Sequence, residues 1–440
     1  MVSTPATADI QVALTDVEVL RIRNDFPVLE QEVNGKPLVY LDSGATSQNP
    51  RSVLEAEQEF YELRNAAVHR GAHHLAVQAT DAFEDARATV AGFIGAEEDE
   101  LVWTANATAG LNLLAYAFSN ASIGTTGADA RRFALGPGDE VVVTEMEHHA
   151  NLIPWQELCR RTGAALKFIP IDDDGALRLE EAAHLITGRT KVLAFTHASN
   201  VLGTINPVSE LVGLAREVGA LVVLDACQSA PHLPLDFKAL DVDFAVFSGH
   251  KMLAPTGIGG VYGRRELLNA LPPFLTGGSM ITTVTMDKAD YLPAPQRFEA
   301  GTQPISQAVA LAAAASYLHE TGMERIAGWE AQLGQRLVNG LSAIDGVRVV
   351  GPAAGVERLG LAAFDVAGVH AHDVGQYLDS MGIAVRVGHH CAQPLHRRLG
   401  LTATTRASTY LYNTTEEVDL LLEAVAQVRP YFGAGSGESK

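Results

Sequence analysis

Short apolar runs alternate with helical periods along this chain. Five runs are short enough to read as buried strands: Leu101-Val102-Trp103, Val141-Val142-Val143, Val192-Leu193-Ala194-Phe195, Leu221-Val222-Val223-Leu224 and Phe244-Ala245-Val246-Phe247. Strands of that kind separated by helices are the pattern of a mostly parallel sheet with crossover connections, so the predicted fold class is α/β. Close behind the carboxyl ends of the five runs come, in order, Asn106 and Thr108, His148, Asn200, Asp225 and Lys251. Open α/β sheets bind ligands at that edge, which predicts that polar groups from five distant segments converge on one crevice.

After about residue 300 the pattern changes to an Ala-rich helix, followed by strand and helix units near residues 361–366, 373–381 and 383–387. The last helix opens with a capping box, Thr414-Thr415-Glu416-Glu417. These features predict a flexible extension at 1–20, a segment at 21–45 that joins the smaller domain, and a large domain over 46–299. A small α+β domain follows over 300–432, with a flexible tail at 433–440. Residues 120–133 have turn composition and read as a surface insertion.

Composition narrows the function. The chain has 440 residues, with 32 Lys and Arg against 52 Asp and Glu, a formal charge of −20. That balance argues against a nucleic-acid or anionic-membrane surface. At 47% hydrophobic and 19% charged it can bury a large core. No window approaches the roughly 18 uncharged apolar residues of a spanning helix. The first twenty residues lack Lys and Arg, which points away from a signal peptide and towards the cytoplasm. Three cysteines, Cys159, Cys227 and Cys391, cannot form a disulfide framework, so a reducing compartment is expected.

Candidate chemistry gathers at two places. Ser248-Gly249-His250-Lys251 sets a lysine just past a strand, where its amine can form a Schiff base. An arbitrary loop lysine is usually idle, but Asp225 ends the preceding run and a carboxylate facing a pyridine nitrogen would keep that ring protonated as an electron sink. Gln228 can reach the ring's phenolate oxygen. Residues 104–110 form a turn opening a helix, whose free N–H groups favour an anion. Thr108, Ser248 and His250 would add donors, although Thr108 alone reads equally well as a helix cap. His148 can stack on the ring; a metal site built from His73, His74, His148, His149, His389, His390 and Cys391 is the rival, weakened because adjacent histidines usually point apart. The second place is Arg386-Val387-Gly388-His389-His390-Cys391-Ala392-Gln393-Pro394, where an arginine and two imidazoles favour a thiolate. Cys159 and Cys227 read as small apolar residues.

With these motifs the sequence resembles the group II cysteine desulfurases of the sulfur-mobilisation (Suf) type, within the class V, fold-type I pyridoxal-phosphate enzymes. The landmarks run through nearly the whole chain: Tyr40-Leu41-Asp42-Ser43-Gly44-Ala45-Thr46, Val68-His69-Arg70-Gly71, Glu147-His148-His149-Ala150-Asn151, Ser199-Asn200-Val201-Leu202-Gly203, Asp225-Ala226-Cys227-Gln228, the Lys251 and Cys391 motifs, and Phe298-Glu299-Ala300-Gly301-Thr302. The resemblance implies pyridoxal 5'-phosphate on Lys251, with Asp225 and Gln228 at its ring, His148 stacked on it, and Thr108, Ser248 and His250 at its phosphate. It implies that Thr302 reaches the phosphate of the neighbouring subunit of a homodimer. Arg406 would clamp the carboxylate of L-cysteine, assisted by Asn200, with Arg386 a second cation near the thiol.

By the same resemblance, Lys251 moves the substrate Cα proton and Cys391 takes the sulfur as a persulfide, leaving L-alanine. A small acceptor or scaffold protein of the Suf U or E type would then receive that sulfur for iron–sulfur cluster assembly. A selenocysteine lyase, a class V aminotransferase that leaves Cys391 idle, a zinc hydrolase and a sulfur-carrying scaffold are the alternatives. Ala107 stands where many relatives carry a hydroxyl, Ser279 where a glutamate is common, and His74 where a threonine is common. These departures bear on the phosphate clamp and on subunit communication.

Overall fold

The computed structural model describes residues 13–124 and 128–434. Seven strands build the central sheet: β1 (Leu101–Thr104), β2 (Glu140–Thr144), β3 (Ala165–Ile169), β4 (Thr190–Thr196), β5 (Leu221–Asp225), β6 (Phe244–Ser248) and β7 (Gly259–Gly263). Their order across the sheet is β3-β2-β4-β5-β6-β7-β1, and only β7 runs antiparallel to its neighbours. The expected α/β class with a mostly parallel sheet is the architecture of the chain.

Both faces of the sheet are covered, and the period-2 geometry of a strand divides its side chains between two cores. Along β6, Phe244 and Val246 enter the core that holds Phe118, Phe133 and Trp155. Ala245 and Phe247 enter the opposite core with Phe195 and Phe237. All five predicted runs are strands here. The two strands of this sheet without a matching prediction are β3, whose Phe168 is exposed at the sheet edge, and β7, whose glycines hide its pattern. Those glycines have a packing reason. A Cβ on Gly259 would lie 2.5 Å from the Phe247 carbonyl oxygen and 2.9 Å from the Asn106 Cα, so the loop entering the crevice can rest on β7 only without a side chain.

The smaller sheet contains β8 (Val347–Val350), β9 (Leu361–Val366), β10 (Arg386–Gly388) and β11 (Thr404–Ser408), in the antiparallel order β8-β9-β11-β10. The final helix, Thr415–Tyr431, carries the predicted capping box between Thr414 and Glu417. The N-terminal segment packs on this unit: Val39–Tyr40 pairs in parallel with Ile383–Ala384, and Asp42 bridges to Ser408.

Two sequence expectations change. The extension assigned to 1–20 is ordered from Thr15, which caps a helix at Asp16–Arg23 through a capping box with Glu18, and Glu18 pairs with Arg325 at 2.7 Å; residues 1–12 lie outside the described residues. The supposed surface insertion at 120–133 ends in a 3₁₀ turn, Ala128–Phe133. Phe133 is buried and stacked on Phe118 at 5.3 Å, so one aromatic contact draws that segment into the core. Residues 125–127, and 435–440 of the expected tail, lie outside the described residues.

Candidate active site

The carboxyl ends of β2, β4, β5 and β6 open on a cleft of about 480 Å³. It brings together Lys251, Asp225, Gln228, His148, Thr108, Ser248, His250, Asn200, Arg386, Arg406 and Cys391, that is, every sequence-predicted site residue except Thr302. Thr302 is exposed in an adjoining groove with Phe274 and Phe298, which shares Ala105 and Gly257 with the cleft.

The anion end is built from a helix start. Ala107–Ser122 is capped by Asn106, whose side chain accepts the Ala109 N–H at 2.9 Å, so Asn106 is the cap and Thr108 stands free in the first turn. The Ala107 N–H donates to Ser248 Oγ at 2.9 Å, which ties the turn to the end of β6. Lys251 leaves β6 through one 3₁₀ turn, Gly249–Lys251. Asp225 ends β5, buried, with one oxygen accepting the Cys227 N–H at 3.0 Å. Gln228 donates to the Gly44 carbonyl at 2.8 Å, while its own Oε1 is buried without a partner. An orphaned acceptor of this kind calls for a donor that the chain itself does not provide.

The imidazole of His148 is pinned by the Ala150 N–H on its Nδ1 at 3.1 Å. Beneath it lies Glu147, buried, accepting from Thr144, Asn151 and the Thr196 N–H at 2.5, 2.7 and 3.0 Å. Burial pushes Glu147 up to about 8. Burial holds His148, His197 and His250 down at about 4, and the Lys251 ammonium adds to this for His148 and His250. An unfolded histidine binds its proton near pH 6.5. Between about pH 6.5 and 4 the unfolded chain therefore takes up protons that these three folded imidazoles refuse, and stability falls as pH falls. Glu147 works in the opposite sense, as do Glu330 and Glu417, which burial also raises, while burial lowers His149, His390 and His396 alongside the three. Calorimetry is expected to show the thermal midpoint dropping steadily over that window; a flat or rising midpoint counts against these burials.

The carboxylate end is cationic. Arg406 is buried, donates to the Asn200 carbonyl at 2.8 Å, approaches Asp42 at 3.5 Å, and has its Nε unpartnered; burial lowers it to about 10. Asp42 also holds the exposed Arg386 at 2.9 Å. Asp42 is thus the shared counter-ion of both arginines. It sits inside a quoted motif but received no role from the sequence. Asn200, expected to assist at the substrate, spends its side-chain amide on the His390 carbonyl at 2.8 Å. Cys391 is exposed on a turn in which His390 and Cys391 both have positive φ, +49° and +55°. Its carbonyl accepts the His149 N–H at 2.7 Å, and the His149 ring accepts the Gln393 N–H at 3.1 Å. Two consecutive non-glycine residues in the left-handed region persist only where such contacts hold them.

Residues 39–421 match the family model described as aminotransferase class-V. The chain belongs to this family. A probable cysteine desulfurase from Mycobacterium leprae is 56% identical over 423 residues, covering 96% of this chain and 99% of that one. Among solved structures, the apo cysteine desulfurase of Thermococcus onnurineus superposes with a TM-score of 0.84 at 39% identity, covering 92% and 98% of the two chains. A cysteine desulfurase from Escherichia coli in its S-sulfonic acid form gives 0.83 at 37%, covering 94% and 98%.

Proposed function

We propose that the chain is a pyridoxal 5'-phosphate-dependent cysteine desulfurase, converting L-cysteine to L-alanine with transfer of the sulfur to Cys391 as a persulfide. The observation that carries this is a single cleft holding a lysine, a strand-end carboxylate, a buried arginine and an exposed thiol. The family and its desulfurase relatives support the same reading.

Lys251, Asp225, Gln228, His148, Thr108, Ser248 and His250 would hold the cofactor: the buried strand-end carboxylate of Asp225 suits a protonated ring nitrogen, and the Thr108 hydroxyl in the first turn of a helix suits a phosphate. Once bound, it supplies an electrophilic carbon for the substrate amine and a ring that absorbs carbanion charge. The chain's own residues do the rest. Arg406 binds the substrate carboxylate, and Arg386 keeps positive charge beside the thiol. The Lys251 amine removes the substrate Cα proton and returns a proton later. Cys391 sulfur attacks the substrate sulfur: the substrate C–S bond breaks, an S–S bond forms, and L-alanine leaves with the balance of protons unchanged.

Thr302 would serve the phosphate of a second copy, which its exposed position beside an apolar groove supports. The units 46–299 and 300–432, with 21–45 attached to the latter, form the two walls of the cleft in this reading. A small acceptor protein of the Suf U or E type would take the sulfur towards iron–sulfur clusters in the cytoplasm. Among the described residues no helix is long and apolar enough to cross a membrane. Mass spectrometry of the purified protein after L-cysteine is expected to find one extra sulfur atom on Cys391. A clean, unmodified Cys391 peptide, with 3-mercaptopyruvate formed from L-cysteine as a keto-acid acceptor becomes an amino acid, would favour an aminotransferase instead.

A further inference from the structure

Behind the Cys391 turn lies a chain of three side chains that the reaction as described leaves unused. His396 is fully buried, and its Nδ1 lies 3.0 Å from the Ala392 carbonyl. A carbonyl only accepts, so the proton is on Nδ1 and the neutral ring presents a lone pair at Nε2. Thr404 Oγ1 lies 3.1 Å from that Nε2 and therefore donates its hydroxyl proton to it. The same Oγ1 lies 2.9 Å from His390 Nε2. With the hydroxyl proton already committed, His390 Nε2 has to be the donor, and the lone pair of His390 falls on Nδ1. That Nδ1 is buried and has no partner, on a residue 8% exposed that lines the cleft next to Cys391.

A buried unpartnered acceptor on a residue that lines a cleft is costly unless something in the reaction uses it. Burial, then Arg406, His396 and Arg386, hold His390 far below the usual imidazole range, against the Thr404 main chain. Its Nδ1 is therefore suited to accept a hydrogen bond and not to carry a proton away.

We propose that Thr404 and His396 are positioning residues for sulfur transfer: they lock His390 in its Nε2–H tautomer and so present Nδ1 as a fixed acceptor for a thiol S–H in the cleft. The inference rests on the reading that Cys391 receives the sulfur. Thr404 lies in β11 opposite Gly388, so its hydroxyl also ties the imidazole to the strand next to the one that leads into the Cys391 turn.

Thr404→Val keeps the β-branched shape and removes the hydroxyl; Thr404→Ser keeps the hydroxyl. In the holoenzyme, Thr404→Val is expected to slow persulfide formation on Cys391 by about tenfold or more, with KM for L-cysteine unchanged and the cofactor absorbance retained, while Thr404→Ser stays within about twofold of wild type. Nitrogen-15 spectra of the His390 ring, which do not depend on turnover, are expected to show a single Nε2–H tautomer in wild type and a mixture in Thr404→Val. A Thr404→Val chain that forms persulfide at the wild-type rate, or a Thr404→Ser chain as slow as the valine variant, overturns the inference alone. A wild-type chain that never forms the persulfide overturns both this inference and the preceding reading.

Discussion

Replacing Cys391 with serine is expected to reduce alanine formation from L-cysteine to below about one thousandth of the wild-type rate while the cofactor stays bound. A serine hydroxyl ionises far less readily than a thiol and makes no persulfide. The other two cysteines cannot take over. Burial pushes Cys159 up to about 11, on a helix in the core between sheet and surface. Cys227 lines the cleft, but burial and the neighbouring Asp225 carboxylate push its thiol up to about 12, leaving it without thiolate at neutral pH. Cofactor retention follows from geometry: Lys251, Asp225 and Gln228 stand at the ends of β5 and β6, whereas Cys391 belongs to the turn after β10. The checks are alanine release by amino-acid analysis and the visible absorbance of the purified variant. Wild-type turnover in Cys391→Ser would remove Cys391 from the reaction.

The residues that could be read from the sequence are those whose type announces their chemistry. Lys251 after an apolar run, Asp225 at a strand end, and Cys391 among imidazoles each carry a local signal, and the structure gathers them because parallel strands deliver their carboxyl ends to one edge. Residues acting at one remove gave no such signal. Asp42 is one acid among 52 acidic residues, and only the fold shows it between Arg386 and Arg406, more than 340 positions away. Thr404 and His396 look like a strand threonine and a helix histidine until their shared hydrogen bonds are seen. The same holds for strands. The half-exposed β3 and the glycine-rich β7 lack an apolar run, because one is an edge and the other accommodates the loop at Asn106. Asn106 was named with Thr108 as one polar cluster, yet the backbone makes Asn106 the cap and leaves the threonine hydroxyl free for a ligand.

The Phe298-Glu299-Ala300-Gly301-Thr302 motif has a structural basis of the same hidden kind, and it leads to the largest expected loss of stability. Glu299 is 7% exposed and Arg87 1%, joined by two parallel hydrogen bonds of 2.7 and 2.9 Å. Glu299 also accepts the Trp103 N–H at 2.8 Å, and Arg87 donates to the Leu101 carbonyl at 3.0 Å, so the pair clamps β1 at both ends. The guanidinium lies against the Phe83 and Trp103 rings at 5.2 and 5.6 Å. Removing one member of a buried pair leaves the other charge dry and unpaired, which costs about 3–5 kcal/mol, whereas replacing both with apolar groups of similar volume is often neutral. Arg87→Ala is therefore expected to lower unfolding free energy by about 3–5 kcal/mol in urea titrations, and Arg87→Met combined with Glu299→Leu to recover part of it, since the Trp103 N–H and Leu101 carbonyl lose these partners. The backbone that presents Thr302 at the groove hangs from this clamp, so the single variant should also loosen any dimer that depends on Thr302, and the double variant should restore it. An Arg87→Ala protein as stable as wild type, or a double variant no better than the single one, would show that Glu299 finds solvent or another partner and that the clamp holds neither strand nor loop.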